Sequence, residues 1–305
     1  RVLAGWAFTP RCYLEAALLA DARIPAAEDL FYQPLYNNRT IDDPVPERTS
    51  AAELGWRLTG PVLDLQVTAF AVLTLDGTET RRYYDDMASV YCDMAVTGIG
   101  RLSCGVEAAA DIRLSYRWRL SLAASAGRYK YARDPVVTVI SDVDNSAVDM
   151  RAVSRMGGCE TGGAPQLTAA AELAWFGTKG WGCRASAGFA GRRFVELMPL
   201  RRTDRIAGQA GITHEAFDAF TRQERLADAF TLDASFFKTV RFDRSRLTAA
   251  LMLRNLLGDA DTPYGGYESL RVRRIRPGDD TLYTPHATRY TYAWPRSFYL
   301  TISYR

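Results

Sequence analysis

Ten residues in two stretches of the sequence carry side chains able to grip an anion or stack on a flat ring. Arg192, Arg193, Arg201, Arg202 and Arg205 lie in one stretch; Tyr264, Tyr267, Arg271, Arg273 and Arg274 lie in the other, with Arg276, Tyr283 and Tyr290 following. A guanidinium presents a planar fork of N–H donors that matches the oxygens of a carboxylate or a phosphate. A tyrosine ring offers an apolar face to a sugar or a heme-like plane and a hydroxyl at its tip. The competing reading is that these arginines are engaged by nearby acids, namely Asp204, Glu224, Asp259, Asp261 and Glu268, or by an anionic surface outside the protein.

Reaction chemistry finds no comparable foothold. His214 and His286 are far apart, and neither sits in a metal-ligand spacing. There is no CxxC pair, no glycine-rich phosphate loop and no G-x-S-x-G elbow, so the sequence reads as a non-enzyme without metal or cofactor. The net charge is +3 and no block of like charge stands out, which argues against nucleic acid as a partner. Lys130, Lys179 and Lys238 are the only lysines, so the basic chemistry is almost entirely that of arginine. Five cysteines leave at least one thiol unpaired. Alternation places Cys12, Cys104 and Cys183 on apolar strand faces, whereas Cys92 and Cys159 fall in long connections where a bridge is open to them.

The elements that must position these residues are strands. The ending "RSFYLTISYR" puts Phe298, Leu300, Ile302 and Tyr304 on one face and Ser297, Tyr299, Thr301 and Ser303 on the other. The same alternation runs through Leu63 to Leu73, Trp118 to Ala126, Leu167 to Trp175, Phe230 to Phe236 and Leu247 to Leu253. About eleven such strands can be counted, each of the roughly 9–11 residues that span a bilayer when tilted. No run of about 18 apolar residues marks a membrane helix, and "RVLAGWAF" opens the sequence as a strand, not as a signal peptide.

Connection lengths carry further information. Tight turns are expected at Thr9 to Arg11, Gly60–Pro61, Ser115 to Arg117, Gly177 to Gly180 and Arg241 to Ser245. Between them fall long segments near 22–48, 76–100, 133–163, 192–227 and 257–295. In an up-and-down barrel this alternation puts the short turns at one rim and the long loops at the other, as in outer-membrane barrels. Trp6, Trp56, Trp118, Trp175 and Trp181 lie near strand ends, as an interfacial aromatic girdle requires. Glu15, Glu53, Arg57, Asp64, Glu107, Asp111, Arg113, Glu172, Arg184 and Asp233 fall on the opposite faces and would line a wet lumen. Glu53 with Arg57 and Asp111 with Arg113 are candidate lumen pairs. A soluble all-β binding module is the remaining alternative, though such sandwiches seldom segregate loop length in this way.

Several stretches, in their shared order, resemble the carboxy-terminal half of the β-barrel of TonB-dependent outer-membrane receptors of the Bacteroidetes type. They are "VPERTSAAELGWRLTGPVLDLQVTAF", "LSCGVEAAADIRLSYRWRLSLAASAGRYKY", "PLRRT", "TRQERLADAFTLDASF", "LRNLLGDADTPYGGYESLR" and the terminal "RSFYLTISYR". The likeness runs over essentially all of residues 1–305 and implies an antiparallel transmembrane β-barrel of about 22 strands, closed by a plug, of which about eleven are here. The plug, the TonB box and the first half of the barrel have no counterpart, and the sequence stops at Arg305 where the family usually ends on Phe. A fragment of a longer receptor is therefore expected, with Val2 to Phe8 and the terminal strand pairing with wall strands outside it.

The resemblance implies uptake of a large scarce solute: siderophore-iron, a cobalamin-like cofactor or an oligosaccharide. Energy would come from the TonB complex through the plug. Outer-membrane lipid and lipopolysaccharide, and the surface lipoprotein lid frequent in Bacteroidetes, are the other implied partners. Long loops would face outward and carry the ligand contacts, with the two arginine- and tyrosine-bearing stretches as candidates. A plugless passive or structural barrel within a larger assembly is the alternative function.

Overall fold

The computed structural model describes residues 1–35, 37–86, 88–208, 213–269, 271–275 and 282–305. Eleven strands pair in chain order: β1 Val2–Thr9, β2 Cys12–Arg23, β3 Glu47–Thr59, β4 Leu63–Asp85, β5 Val90–Arg113, β6 Trp118–Arg133, β7 Leu167–Phe176, β8 Trp181–Gly191, β9 Ala229–Arg241, β10 Arg246–Arg254 and β11 Ser297–Tyr304. Every neighbouring pair is antiparallel, which makes an all-β up-and-down wall. The wall is open: along this path β1 pairs only with β2, and β11 only with β10.

Register shows why alternation was a sound guide. Trp56, Val67, Ala108, Ala124, Ala169, Phe189 and Phe230 stand opposite one another in a single row across seven strands. On the other face Asp64, Asp111, Ser121, Glu172, Ser186 and Asp233 form a second row. A slip of one residue would exchange these faces, so register is specified wherever they meet different surroundings. The apolar face is open, with Phe230 58% and Leu300 64% accessible. Soluble monomers rarely leave so continuous an apolar surface bare, so this side calls for hydrocarbon rather than water.

Tight turns lie at one rim as expected, at residues 10–11, 60–62, 114–117, 177–180 and 242–245. The turn before β8 needs Gly180, with φ at +79°, where a Cβ would meet the Thr239 carbonyl oxygen at 2.1 Å. Trp6, Trp56, Trp118, Trp175 and Trp181 all fall near this rim. Trp118 and Trp175 are cross-strand partners with rings 6.4 Å apart. Cys12, Cys104 and Cys183 stand on the apolar face, opposite Leu58, Ala71 and Trp175 respectively.

Two expectations need correction at the other rim. Segment 76–100 is not a loop: β4 and β5 run on for 23 and 24 residues and form a long hairpin. The alternation continues there through Tyr83, Cys92, Met94 and Val96, so an apolar face persists beyond the height of the wall. Positive φ at Asp76 and Gly98 accompanies the register shift where wall becomes hairpin. Cys92 is therefore a strand residue, and no bridge joins it to Cys159; all five cysteines are free.

Nearly all of the buried core lies around this hairpin and the loops. Met94, Val96, Val137, Val139, Met198 and Leu200 form the main cluster, which brings loop 195–203 onto one hairpin face. Tyr32, Ile41, Ala95 and Ile140 form a second cluster, which brings loop 31–41 onto the other. Strand Val136–Ser141 extends the hairpin sheet beside β5, and Ala147–Val153 pairs with it in turn.

Candidate functional site

The expected arginines converge on the loop cap, but most of them point into it. Pro199–Arg202 forms a single 3-10 turn, with proline suited to its first position. Arg202 donates to both oxygens of Glu268, at 2.6 and 2.7 Å, and to the Thr221 carbonyl at 2.7 Å. The same carboxylate accepts the Met198 amide at 2.8 Å and lies 3.9 Å from Arg201. Arg201 stacks on Phe220 with its carbon 4.8 Å from the ring centre. Burial, and to a lesser degree its neighbour Arg202, lower the Arg201 pKa, with Glu268 opposing them. These two arginines bind the 192–227 and 257–295 loops to each other.

Asp85 and Asp86, at the hairpin tip, each receive an arginine from a different loop. Arg205 donates to both oxygens of Asp85, at 2.6 and 3.2 Å, and Tyr83 adds its hydroxyl at 2.9 Å. Burial works against the Asp85 charge, but the hydrogen bonds from Arg205 and the Ala88 amide outweigh it and hold the pKa below the ordinary value. Arg271 donates to Asp86 at 2.5 and 3.2 Å and covers the Tyr84 ring at 5.3 Å.

Arg193 is buried as well, donating to the carbonyls of Ala227 and Tyr264 and lying 5.6 Å above the Tyr264 ring. Burial lowers its pKa. Arg192, with φ at +51°, stays half-exposed, and its amide donates to Asp228. Arg273 and Arg274 lie on strand Val272–Ile275, opposite Thr284 and Tyr283; Arg276 lies outside the described residues. Tyr264 and Tyr267 are 52% and 45% accessible on strand Pro263–Tyr267, which pairs with Arg289–Tyr292. Tyr290 gives its hydroxyl to Glu224 at 2.5 Å, and Thr288 donates to the same carboxylate. An exposed tyrosine surface thus rests on a cap whose arginines are largely internal.

Other participants carried no sequence signal. Glu79 accepts from Arg81 and Arg101, and Arg81 reaches on to Glu196 at 2.9 Å. Asp76 accepts from both Arg48 and Arg133. Apart from the Arg81–Glu79 contact, these contacts join residues at least 22 positions apart, so only the fold assembles the networks. On the polar face of the wall, Glu15, Glu53, Gln66, Thr68, Phe70 and Glu107 border a cavity of about 710 Å³. Among the described residues neither Glu53 with Arg57 nor Asp111 with Arg113 forms an ion pair; Asp111 instead accepts the Ser121 hydroxyl.

With wall and cap in view, the family is clear. The family described as "TonB dependent receptor-like, beta-barrel" matches residues 22–256, and the chain belongs to it. Comparison with curated protein sequences finds no match. Among solved structures, the siderophore receptor PiuA from Acinetobacter baumannii superposes with a TM-score of 0.58 at 12% identity, over 98% of this chain and 35% of that one. Copper transporter OprC gives 0.56 at 15% identity, over 98% of this chain and 39% of that one. The ferric yersiniabactin uptake receptor FyuA from Yersinia pestis gives 0.56 at 14% identity, over 99% of this chain and 36% of that one. At these identities the likeness is one of fold, and the chain spans between about a third and two-fifths of each structure.

Proposed function

We propose that the chain is the carboxy-terminal part of the barrel of an outer-membrane receptor that takes up a large, scarce solute with energy supplied through TonB. The observation that carries the reading is the division of labour: a wall with one apolar and one charged face, and a cap of interlocked loops at a single rim. A wall of this kind separates lipid from a wet lumen, while a preorganised cap holds recognition groups in place before a ligand arrives. The chain does no chemistry on its solute; its share is the lumen wall and the ligand-facing loops.

Ferric siderophores are the first class to test, since two of the structural neighbours are named for them. Cobalamin-like cofactors and oligosaccharides follow from the sequence resemblance, as do the Bacteroidetes type and a surface lipoprotein partner. Tyr264 and Tyr267 are the contact residues we favour, with Arg192, Arg273 and Arg274 as the cations nearest to them in role. Arg193, Arg201, Arg202, Arg205 and Arg271 act by holding the cap. Uptake of labelled ferric siderophores by cells expressing the whole receptor, with and without functional TonB, tests the reading. TonB-dependent accumulation supports it; accumulation indifferent to TonB points to a passive barrel.

A further inference from the structure

We infer that the lumen mouth at the short-turn rim is a binding site for an anionic solute, one that bears carboxylate or phosphate groups. The inference rests on the receptor reading above and adds to it the charge class of the solute that leaves by this mouth. Two of the five short hairpins close on a pair of arginines. Arg113 stands opposite Arg119 where β5 turns into β6, and Arg241 stands opposite Arg246 where β9 turns into β10. All four are exposed, and counting by twos from Asp111 and Asp233 puts them on the polar face of the wall.

Like charges directly opposite in an antiparallel pair repel, and the Cα atoms of such a pair are about 4.5–5.5 Å apart. Among the described residues none of the four arginines forms an ion pair or a side-chain hydrogen bond. Two acids of the same face, Asp111 and Asp64, are engaged elsewhere, with the Ser121 hydroxyl and the Gly60 amide. The long-loop rim is unlike this: there Arg81, Arg101, Arg133, Arg202 and Arg205 each meet a carboxylate. The surplus extends along the short-turn rim. Residues 9–12, 59–64, 113–119, 176–182 and 241–246 carry eight arginine or lysine side chains against two carboxylates, Asp64 and Asp243, although the whole chain is only +3.

Lipid headgroups do not account for these charges. On the apolar face of the rim Lys238 lies 4.7 Å from the Trp181 ring centre and donates to the Lys179 carbonyl at 2.6 Å, whereas the paired arginines lie on the other face. A concave surface lined by one sign of charge focuses its field and concentrates counter-ions. A carboxylate or phosphate placed between two facing guanidiniums accepts from both forks, and charge-assisted hydrogen bonds replace the repulsion. A neutral sugar gains nothing from such pairs.

The test is ³¹P line broadening of inorganic pyrophosphate by the whole receptor, purified from its own membranes in detergent. The variants are Arg113→Gln with Arg119→Gln, Arg241→Gln with Arg246→Gln, and all four together, each with a lysine counterpart; heat-modifiable gel mobility checks the barrel. The expected result is broadening that fades with added salt, drops with either glutamine pair and falls at least about tenfold when all four arginines are replaced. Lysine at the same positions should keep most of it. No broadening by the parent, or broadening that the fourfold glutamine variant keeps, would overturn the site. A lower urea midpoint for the glutamine pairs would overturn it too, because it would mean that carboxylates elsewhere in the receptor hold these arginines; relief of facing like charges leaves the midpoint equal or higher. Uptake indifferent to TonB in the parent would sink the energised-transport reading alone and leave the anion site to a passive barrel.

Discussion

Arg202 and Glu268 are 66 positions apart, yet they form a two-pronged ion pair that is among the most deeply buried contacts of the chain. It joins the 3-10 turn Pro199–Arg202 to the segment just after the exposed tyrosine strand, and Arg201 lies against the same carboxylate. Removing Glu268 strands two guanidinium groups in a buried setting. Glu268→Ala should therefore destabilise the cap by about 3–5 kcal/mol, whereas replacing Arg202 and Glu268 together with apolar residues of similar volume should cost far less. Hydrogen exchange across 195–203 and 264–268 measures both.

The two faces of β7 give the sharpest test of orientation. Ala170 and Ala171 are adjacent, with Ala171 in the apolar set and Ala170 opposite Gly188 on the other face. Ala171→Arg should cost about 2–4 kcal/mol near the bilayer midplane, while Ala170→Arg should be nearly neutral. Urea unfolding in liposomes separates them, and equal effects would contradict the assignment of faces.

Acid should act on the cap in two opposing ways. The Asp85 pKa is lowered, so the stability it contributes is present above the ordinary carboxylate value of about 3.9 and is lost as pH falls through its lower folded value. Asp149 has the opposite sign. Burial raises its pKa, with Arg205 as the main opposing influence, so it weakens the cap at neutral pH and ceases to do so as pH falls through the raised value. Asp149→Asn should stabilise the cap at pH 7 and leave it unchanged in acid. Limited proteolysis of the loops across pH 3–7 reads both effects.

Recognition should depend on the exposed tyrosines more directly than on the buried arginines. Tyr267→Ala should weaken binding of the cognate solute about two- to tenfold, the range expected of one aromatic contact, with cap stability unchanged. Arg202→Ala should lower binding only together with loss of cap protection. A panel of ferric siderophores, cobalamin and oligosaccharides, assayed by equilibrium binding, distinguishes the two.

The wall was legible in the sequence because a period of two needs only local reading: Leu63 to Leu73 and Phe298 to Tyr304 announce their faces residue by residue. The turns were legible because Pro10 and Pro61 fix φ locally and Gly180 permits the positive φ its turn needs. The cap was much less so. Loop length suggested that β4 and β5 end near residue 75 and resume near 101, but pairing of Tyr83 with Cys92 carries both strands onward. Candidate arginines could be named from type alone. Whether Arg202 meets a ligand or Glu268 depends on a contact spanning 66 positions, and no local pattern encodes that. The contacts of Glu79 with Arg101 and of Arg81 with Glu196 were missed for the same reason.

The intact mass and amino-terminal sequence of the mature protein from native outer membranes decide whether this wall belongs to a larger plug-bearing receptor. The expected mass is well above the 33.9 kDa of this chain, with a plug-like segment ahead of β1. A mature protein of about 33.9 kDa beginning at Arg1 would contradict it and require the two open edges, β1 and β11, to pair with another chain.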